Sequence, residues 1–258
     1  LIEPYLDSLP KLVAQAVAEA AKSVRDVTMT YAEADSRMAH HRDTWDADNN
    51  LFVCGFNPDV DLALPAKVLR LVDTEAQLLA TIVNYPCHPT TLAWDNTLIS
   101  PDYVGQLRLD VEAATNAPCL FLLAPCGNIG PRHGFVGDTS IAEKNGRQVA
   151  LATQQALESM PPVGQDFHYL GPVISGATLG EWAYSAQTNE RIAVTQTFHI
   201  EEFEVPLEYL PGLPTIKQAE SAMAQLQTDE QQARDNGHEP EARRLRALVE
   251  RSRRELER

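Results

Sequence analysis

The stretch LLATIVNYPCHPTTLAWDNTLISPDYVG, residues 78–105, changes character twice, and those changes decide the fold. Its first six residues are an apolar, partly β-branched run of strand length. His88 follows, held between Cys87 and Pro89 with Pro86 just before, so the backbone on both sides is stiffened. Ser100-Pro101-Asp102 then reads as a helix start, a capping serine with proline at the first helical position, opening a helix over 101–115. Strand, rigid histidine loop and helix form one unit.

The same unit repeats downstream. Cys119–Leu123 reads as a strand, a glycine-rich loop follows over 124–134, and Ser140-x-x-Glu143 reads as a capping box that opens a helix over 140–160. Together they predict a βαβα arrangement. A right-handed crossover makes its two strands parallel, so the loops that leave them emerge on one sheet edge, where open α/β sheets hold their ligands. His88 and the loop APCGNIGPRHG are expected to face one pocket.

Upstream, KVLRLVD and AQLLATIV flank a short turn and read as a hairpin of two central strands. A strand over DVTMTYAEA and an amphipathic helix over 10–24 precede them, and the polar stretch 35–65 reads as a long irregular loop. Downstream, QDFHYLGPVIS and IAVTQTFHIEEFEVPL alternate like half-exposed strands expected to extend the sheet. Beyond YLPGLP, a thin apolar stripe through Ala219, Met223, Leu226, Leu245 and Val249 marks a charged helical hairpin. The expected fold class is α/β, a mixed β-sheet flanked by helices with a C-terminal helical hairpin, divided as an α/β domain over 1–210 and the hairpin over 211–258.

With 258 residues, 44% hydrophobic, the chain is large enough for a sizeable core. A net charge of −15 disfavours nucleic acid and anionic membranes as partners. The arginines clustered over 243–258 have glutamates among them and read as a solvated helix face. Four cysteines without a CxxC pair do not form a disulfide scaffold. No apolar run reaches transmembrane length. The start, LIEPYLDSLPKL, looks cut, which leaves targeting information open.

Several residues carry chemistry. His88 is a metal ligand or general base, or else an imidazole that hydrogen-bonds within its turn. CGNIGPRHG lets backbone N–H groups approach a ligand closely, or is a plain tight turn; the GxSxG nucleophile elbow is absent. HExxH and HxH are absent too, so composition by itself closes no zinc site. Cys87 and Cys126 are soft ligands, a nucleophile in the case of Cys126, or buried small hydrophobes.

At NYPCHPTTLAWDNTLISPDYVGQL and FLLAPCGNIGPR the sequence resembles the neutral/alkaline, non-lysosomal ceramidase family, over roughly residues 1–160. That family has an asparagine, then His-Pro-Thr or His-Gly-Thr, then NTLIS-x-D opening a helix, and a Gly-Asp-Val-Ser-Pro-Asn loop after the next strand. The resemblance implies a zinc amidase acting on a small-molecule or lipid-like N-acyl substrate, secreted or periplasmic by analogy, with His88 as one metal ligand. It implies further that the other histidine ligand lies upstream of Leu1 and the glutamate and tyrosine ligands beyond Arg258, so that residues 1–258 would be an internal portion holding one ligand of four.

GNIGPR departs from the family loop, because Gly130 stands where the family has its catalytic serine and Asn128 where it has aspartate. A zinc-bound water could act without that serine, since zinc lowers the pKa of bound water to about 7. By the resemblance Arg42, in AHHRDTW, is the nearest equivalent of a family arginine at the substrate carbonyl, where a guanidinium suits an oxyanion, or else it is a surface arginine. Asn128, Arg132 and His133 are the candidate substrate-binding residues, with Arg132 and His133 alternatively exposed loop residues. The resulting expectation is a zinc-dependent N-acyl amide hydrolase whose substrate is not settled as ceramide. The alternative is a non-catalytic relative that keeps the fold and binds a ligand or partner.

Overall fold

The computed structural model describes residues 2–197, 199–208 and 211–256. In chain order the elements are α1 (Glu3–Ala21), β1 (Thr28–Asp35), β2 (Ala39–His41), β3 (Asp43–Asp46), β4 (Leu51–Cys54), β5 (Pro65–Val72), β6 (Leu78–Tyr85), α2 (Tyr103–Thr115), β7 (Cys119–Leu123), β8 (Ile129–Pro131), α3 (Thr139–Ser159), β9 (Gln165–Ile174), β10 (Thr178–Ala186), α4 (Asn189–Thr195), α5 (Ile216–Asp235) and α6 (Glu239–Leu256). They fall into two compact units, Leu1–Thr197 and Phe198–Arg258.

The first unit is α/β, built on a mixed four-stranded sheet in the order β1-β5-β6-β7. β1/β5 and β5/β6 are antiparallel while β6/β7 is parallel, as the βαβ reading requires. The register places Ala32, Val68, Val83 and Phe121 in one row across all four strands. Helices α2 and α3 cover that face, and their buried Tyr103, Leu107, Val111, Val149 and Ala156 complete the core with it. The neighbouring row, Tyr31, Leu69, Ile82 and Leu120, points the other way, and Tyr31 and Leu120 at its ends are exposed.

The two covering helices approach closely at Gly146. A β-carbon there would meet the Tyr103 carbonyl oxygen and come within 2.6 Å of Gln106 Cβ. Only glycine lets the backbones come this near.

The helix starts differ from the sequence reading by about two residues. The N-cap of α2 is Asp102, not Ser100, whose hydroxyl instead accepts the Asp102 N–H at 3.0 Å. The N-cap of α3 is Asp138, which accepts the Ser140 N–H at 2.8 Å, so Ser140 lies inside the helix and forms no capping box. In both places two capping-type residues compete within one turn, and an aspartate wins with its charge at the positive end of the helix dipole.

Three further expectations are corrected. The stretch 35–65 is not wholly irregular, since it contains β2 and the hairpin β3/β4. QDFHYLGPVIS does form β9, but β9 pairs with β10 in a separate two-stranded ribbon and does not extend the main sheet. IAVTQTFHIEEFEVPL is not a strand: its start belongs to α4, and its described remainder has no regular structure. Alternation alone makes no strand without a neighbour to share the hydrogen bonds.

In the second unit α5 and α6 pack through Leu226, Ala233, Ala242 and Leu245. A capping box between Thr215 and Gln218 opens α5. On α6, Arg244 and Arg253 pair with Glu241 and Glu250 of the same helix, so much of the basic run is matched locally.

Candidate functional site

The loops leaving β6 and β7 meet through a small antiparallel ribbon. β2 pairs with β8, setting His40 opposite Gly130 and His41 opposite Ile129. The ribbon is fastened to the sheet by Tyr85, whose hydroxyl accepts the Ala39 N–H at 3.1 Å and donates to the Ser36 carbonyl at 3.3 Å. Burial pushes that phenol up to about 12, so it stays protonated and keeps donating.

The His88 segment is held from several sides. Its N–H donates to the Ile129 carbonyl at 3.3 Å, tying it to β8. The buried Tyr103 hydroxyl of α2 donates to the Cys87 carbonyl at 2.7 Å. Asp102 accepts the Leu92 N–H at 2.8 Å and the Tyr103 N–H at 2.7 Å, binding loop and helix start together. It does so at φ +55°, a conformation uncommon for any residue but glycine.

Arg42 lies alongside. One terminal nitrogen of its guanidinium donates to the Gly127 carbonyl at 2.8 Å, and its backbone N–H donates to the Asn128 carbonyl at 2.9 Å. A β-carbon on Gly130 would sit 3.5 Å from Arg42 Cδ and 4.0 Å from Thr90 Oγ1. Arg42 and Thr90 thus border the space that the absent Gly130 side chain leaves. Of seven buried side-chain polar atoms without a hydrogen-bond partner among the described residues, five belong here: both ring nitrogens of His40, His41 Nδ1, Arg42 Nε and Thr90 Oγ1. Native structures leave few such atoms unsatisfied, and a concentration of them is accounted for by bound water, an ion or a polar ligand.

Burial and nearby arginines disfavour the charged forms of His88 and His40. The His88 pKa is lowered, first by burial and then by the Arg42 charge. That of His40 is lowered first by burial and then by the Arg132 charge, with the Asp61 charge acting in the opposite sense. The thiols are raised. Burial lifts Cys126, and burial with the nearby Cys126 lifts Cys87 further. Both are buried and protonated, which fits small hydrophobes and disfavours a Cys126 nucleophile.

The candidate residues therefore divide. Arg42, Gly130 and His88 converge, with the Asn128 carbonyl supporting Arg42 from behind while the residue itself is exposed. Arg132 and His133 instead line an adjoining cavity of about 430 Å³ with Arg37, Phe56, Lys144 and Asn145. Sequence reading did not single out Thr90, His40 and Phe56 as site residues: Thr90 and His40 carry buried polar atoms without partners, and Phe56 contacts the His40 ring and the Arg132 guanidinium, features that no spacing encodes. Asp102 was legible as part of a helix start, though not as the residue that stitches the loop.

Zinc takes three or four protein donors. Among the described residues no group of three or more His, Cys, Asp or Glu side chains comes together to hold a metal. These residues by themselves do not fit a zinc site, and the Arg42 charge beside His88 opposes a second cation there. No helix among them is long and apolar enough to cross a membrane.

No protein-family model matches the sequence, and no curated protein matches it. Solved structures of ceramidases are similar in part. A neutral ceramidase from Pseudomonas aeruginosa is 17% identical over 60% of this chain, with a TM-score of 0.43. A ceramidase complexed with C2 is 18% identical over 56% of it, with a TM-score of 0.42. The chain covers 27% and 25% of those two chains, about a quarter of their length. These are partial likenesses of the backbone.

Proposed function

We propose that this chain carries part of the active site of an N-acyl amide hydrolase, acting on a small-molecule or lipid-like substrate. The observation behind this reading is the pairing of a buried, unpartnered Arg42 Nε with an unpartnered Thr90 hydroxyl beside the neutral imidazole of His88. In it the substrate carbonyl oxygen lies toward Arg42, whose charge stabilises the oxyanion as water adds to the carbonyl carbon. Thr90 supplies a second donor. His88 takes the proton from the attacking water and returns it to the amide nitrogen as the C–N bond breaks, releasing acid and amine.

No step of this reading passes through a metal. Zinc enters it only with donors from outside residues 1–258, and His88 is then the ligand this chain would contribute. Elemental analysis of the complete gene product decides that point: zinc lost in His88→Ala supports the ligand role, and equal zinc in wild type and variant removes it.

The test of hydrolysis is turnover of a panel of N-acyl substrates, ceramide included. Loss of the Arg42 side chain in Arg42→Ala is expected to lower kcat roughly 100- to 1000-fold, the usual effect of removing an oxyanion donor. Undiminished turnover in His88→Ala and in Arg42→Ala overturns the assignment. Gly130, with no side chain at the position expected to be catalytic, favours a second reading, a non-catalytic ligand-binding relative. That reading predicts saturable binding with no turnover of any N-acyl substrate.

A further inference from the structure

The cavity of about 430 Å³ beside the β2/β8 ribbon differs in charge from the rest of the molecule. Arg37, Arg132 and Lys144 line it with His133, Asn145 and Phe56, and no carboxylate is among its lining residues. This occurs in a chain with 36 acidic and 21 basic residues. Among the described residues none of the three cations forms an ion pair, whereas Arg108, Arg147 and Arg191 each do. Two carboxylates, Asp35 and Asp61, line a separate cavity of about 310 Å³ that shares the Arg37 and Arg132 wall, and neither forms an ion pair among the described residues. Arg37, Arg132 and Lys144 are themselves exposed, and a cleft lined by one sign of charge concentrates ions of the opposite sign.

The cavity is also held in shape. The Arg132 N–H donates to the Met38 carbonyl at 2.8 Å, and its guanidinium lies 5.2 Å from the Phe56 ring centre. Phe56 is fixed in turn by an edge contact with His40 at 5.1 Å. The buried Asn145 donates to the His133 carbonyl at 2.9 Å and to Thr91 Oγ1 at 3.1 Å, and accepts from Gln148 at 3.3 Å. A stacked guanidinium loses little freedom on binding, and its planar fork matches two oxygens of a phosphate. Small-molecule sites commonly measure about 300–1000 Å³, so this cavity has room for more than a bare inorganic ion.

We propose that this cavity binds the phosphate group of a small organic phosphomonoester, held by Arg37, Arg132 and Lys144. It does not rest on the hydrolase reading, because binding is measured without turnover.

Isothermal titration of the full chain with glycerol 3-phosphate, and with glycerol as its uncharged counterpart, tests it. Saturable binding of the phosphomonoester alone is expected, weakened roughly 10- to 100-fold in Arg132→Gln and in Lys144→Gln, in proportion to a lost charged hydrogen bond. Lys67→Gln, on the exposed side of β5, is expected to bind as wild type. Phosphatidylcholine vesicles with and without phosphatidic acid separate a lipid phosphate from a soluble one: capture that requires phosphatidic acid and is competed by glycerol 3-phosphate identifies a lipid source for the same site. Absence of saturable glycerol 3-phosphate binding, or equal affinity in wild type, Arg132→Gln and Lys144→Gln, overturns the proposal.

Discussion

Replacing Gly130 by serine should stabilise the fold. The position is buried in β8, and its φ lies outside the left-handed region, which is occupied among the described glycines by Gly164, Gly171, Gly176, Gly212 and Gly237. A β-carbon would make only ordinary contacts, 3.5 and 3.6 Å to the Arg42 side chain and 4.0 Å to Thr90 Oγ1. Restricting the unfolded chain at such a position contributes about 0.4–1 kcal/mol. The hydroxyl can then reach the unpartnered Thr90 oxygen, and one such hydrogen bond contributes about 0.5–1.5 kcal/mol. The sum is a stabilisation of roughly 1–2.5 kcal/mol.

Urea unfolding of wild type, Gly130→Ala and Gly130→Ser checks this, read as a shift of midpoint at constant m-value. Alanine isolates the backbone contribution, so serine is expected to exceed alanine by about the hydrogen bond. If serine is less stable than alanine, its hydroxyl is buried without a partner, and Thr90 does not face the space described for it. Under the hydrolase reading the same variant narrows the space beside Arg42 and should raise KM for an N-acyl substrate.

At the helix crossing the opposite result is expected: Gly146→Ala forces its β-carbon into the Tyr103 carbonyl and, at 2.8 Å, the Leu107 nitrogen, and should cost about 1–3 kcal/mol in urea unfolding. An alanine variant as stable as wild type would show that α2 and α3 do not approach so closely. Iodoacetamide on the native chain should alkylate Cys54 alone, since Cys87, Cys119 and Cys126 are buried with raised pKa values, and all four should react in urea; mass spectrometry reads the difference, and rapid native labelling of Cys126 would contradict its burial. Stability should fall with acidification, because His40 and His88 have folded pKa values below the ordinary value of about 6.5: their contribution is complete above that pH and is lost as the unfolded chain takes up protons that the folded chain resists. Between about pH 5 and 6.5 few carboxylates titrate, so His40→Gln should flatten the slope there, and an unchanged slope would mean that His40 protonates freely.

What the sequence made legible is what repeats. β5, β6 and β7 carry β-branched or leucine-rich runs bounded by turns, and α2 and α3 carry helical periods, so a mixed sheet under helices could be read from side-chain spacing. The β2/β8 ribbon could not. Each strand has three residues, too few to show a period, and their pairing joins segments about ninety positions apart in the chain. Arg42, His88 and the 124–134 loop were singled out, but their support by Tyr85, Tyr103 and Asp102 arises from hydrogen bonds that exist only once the sheet has formed.

The histidine between cysteine and proline has its explanation in that support. Gly146 lets α3 approach α2, α2 presents the Tyr103 hydroxyl, and that hydroxyl holds the Cys87 carbonyl one residue before His88. Pro86 and Pro89 limit the conformations of the segment before any contact forms, and the bond from His88 to Ile129 fixes it against β8. The imidazole is thus placed by a chain of contacts running from the helix crossing to the sheet edge. A perturbation at Gly146, on the α3 side of that crossing, should therefore displace His88 as well as lower stability. Nuclear magnetic resonance of the His88 ring in Gly146→Ala would reveal this as a shifted imidazole signal, whereas an unmoved signal in a destabilised variant would uncouple the helix crossing from the site.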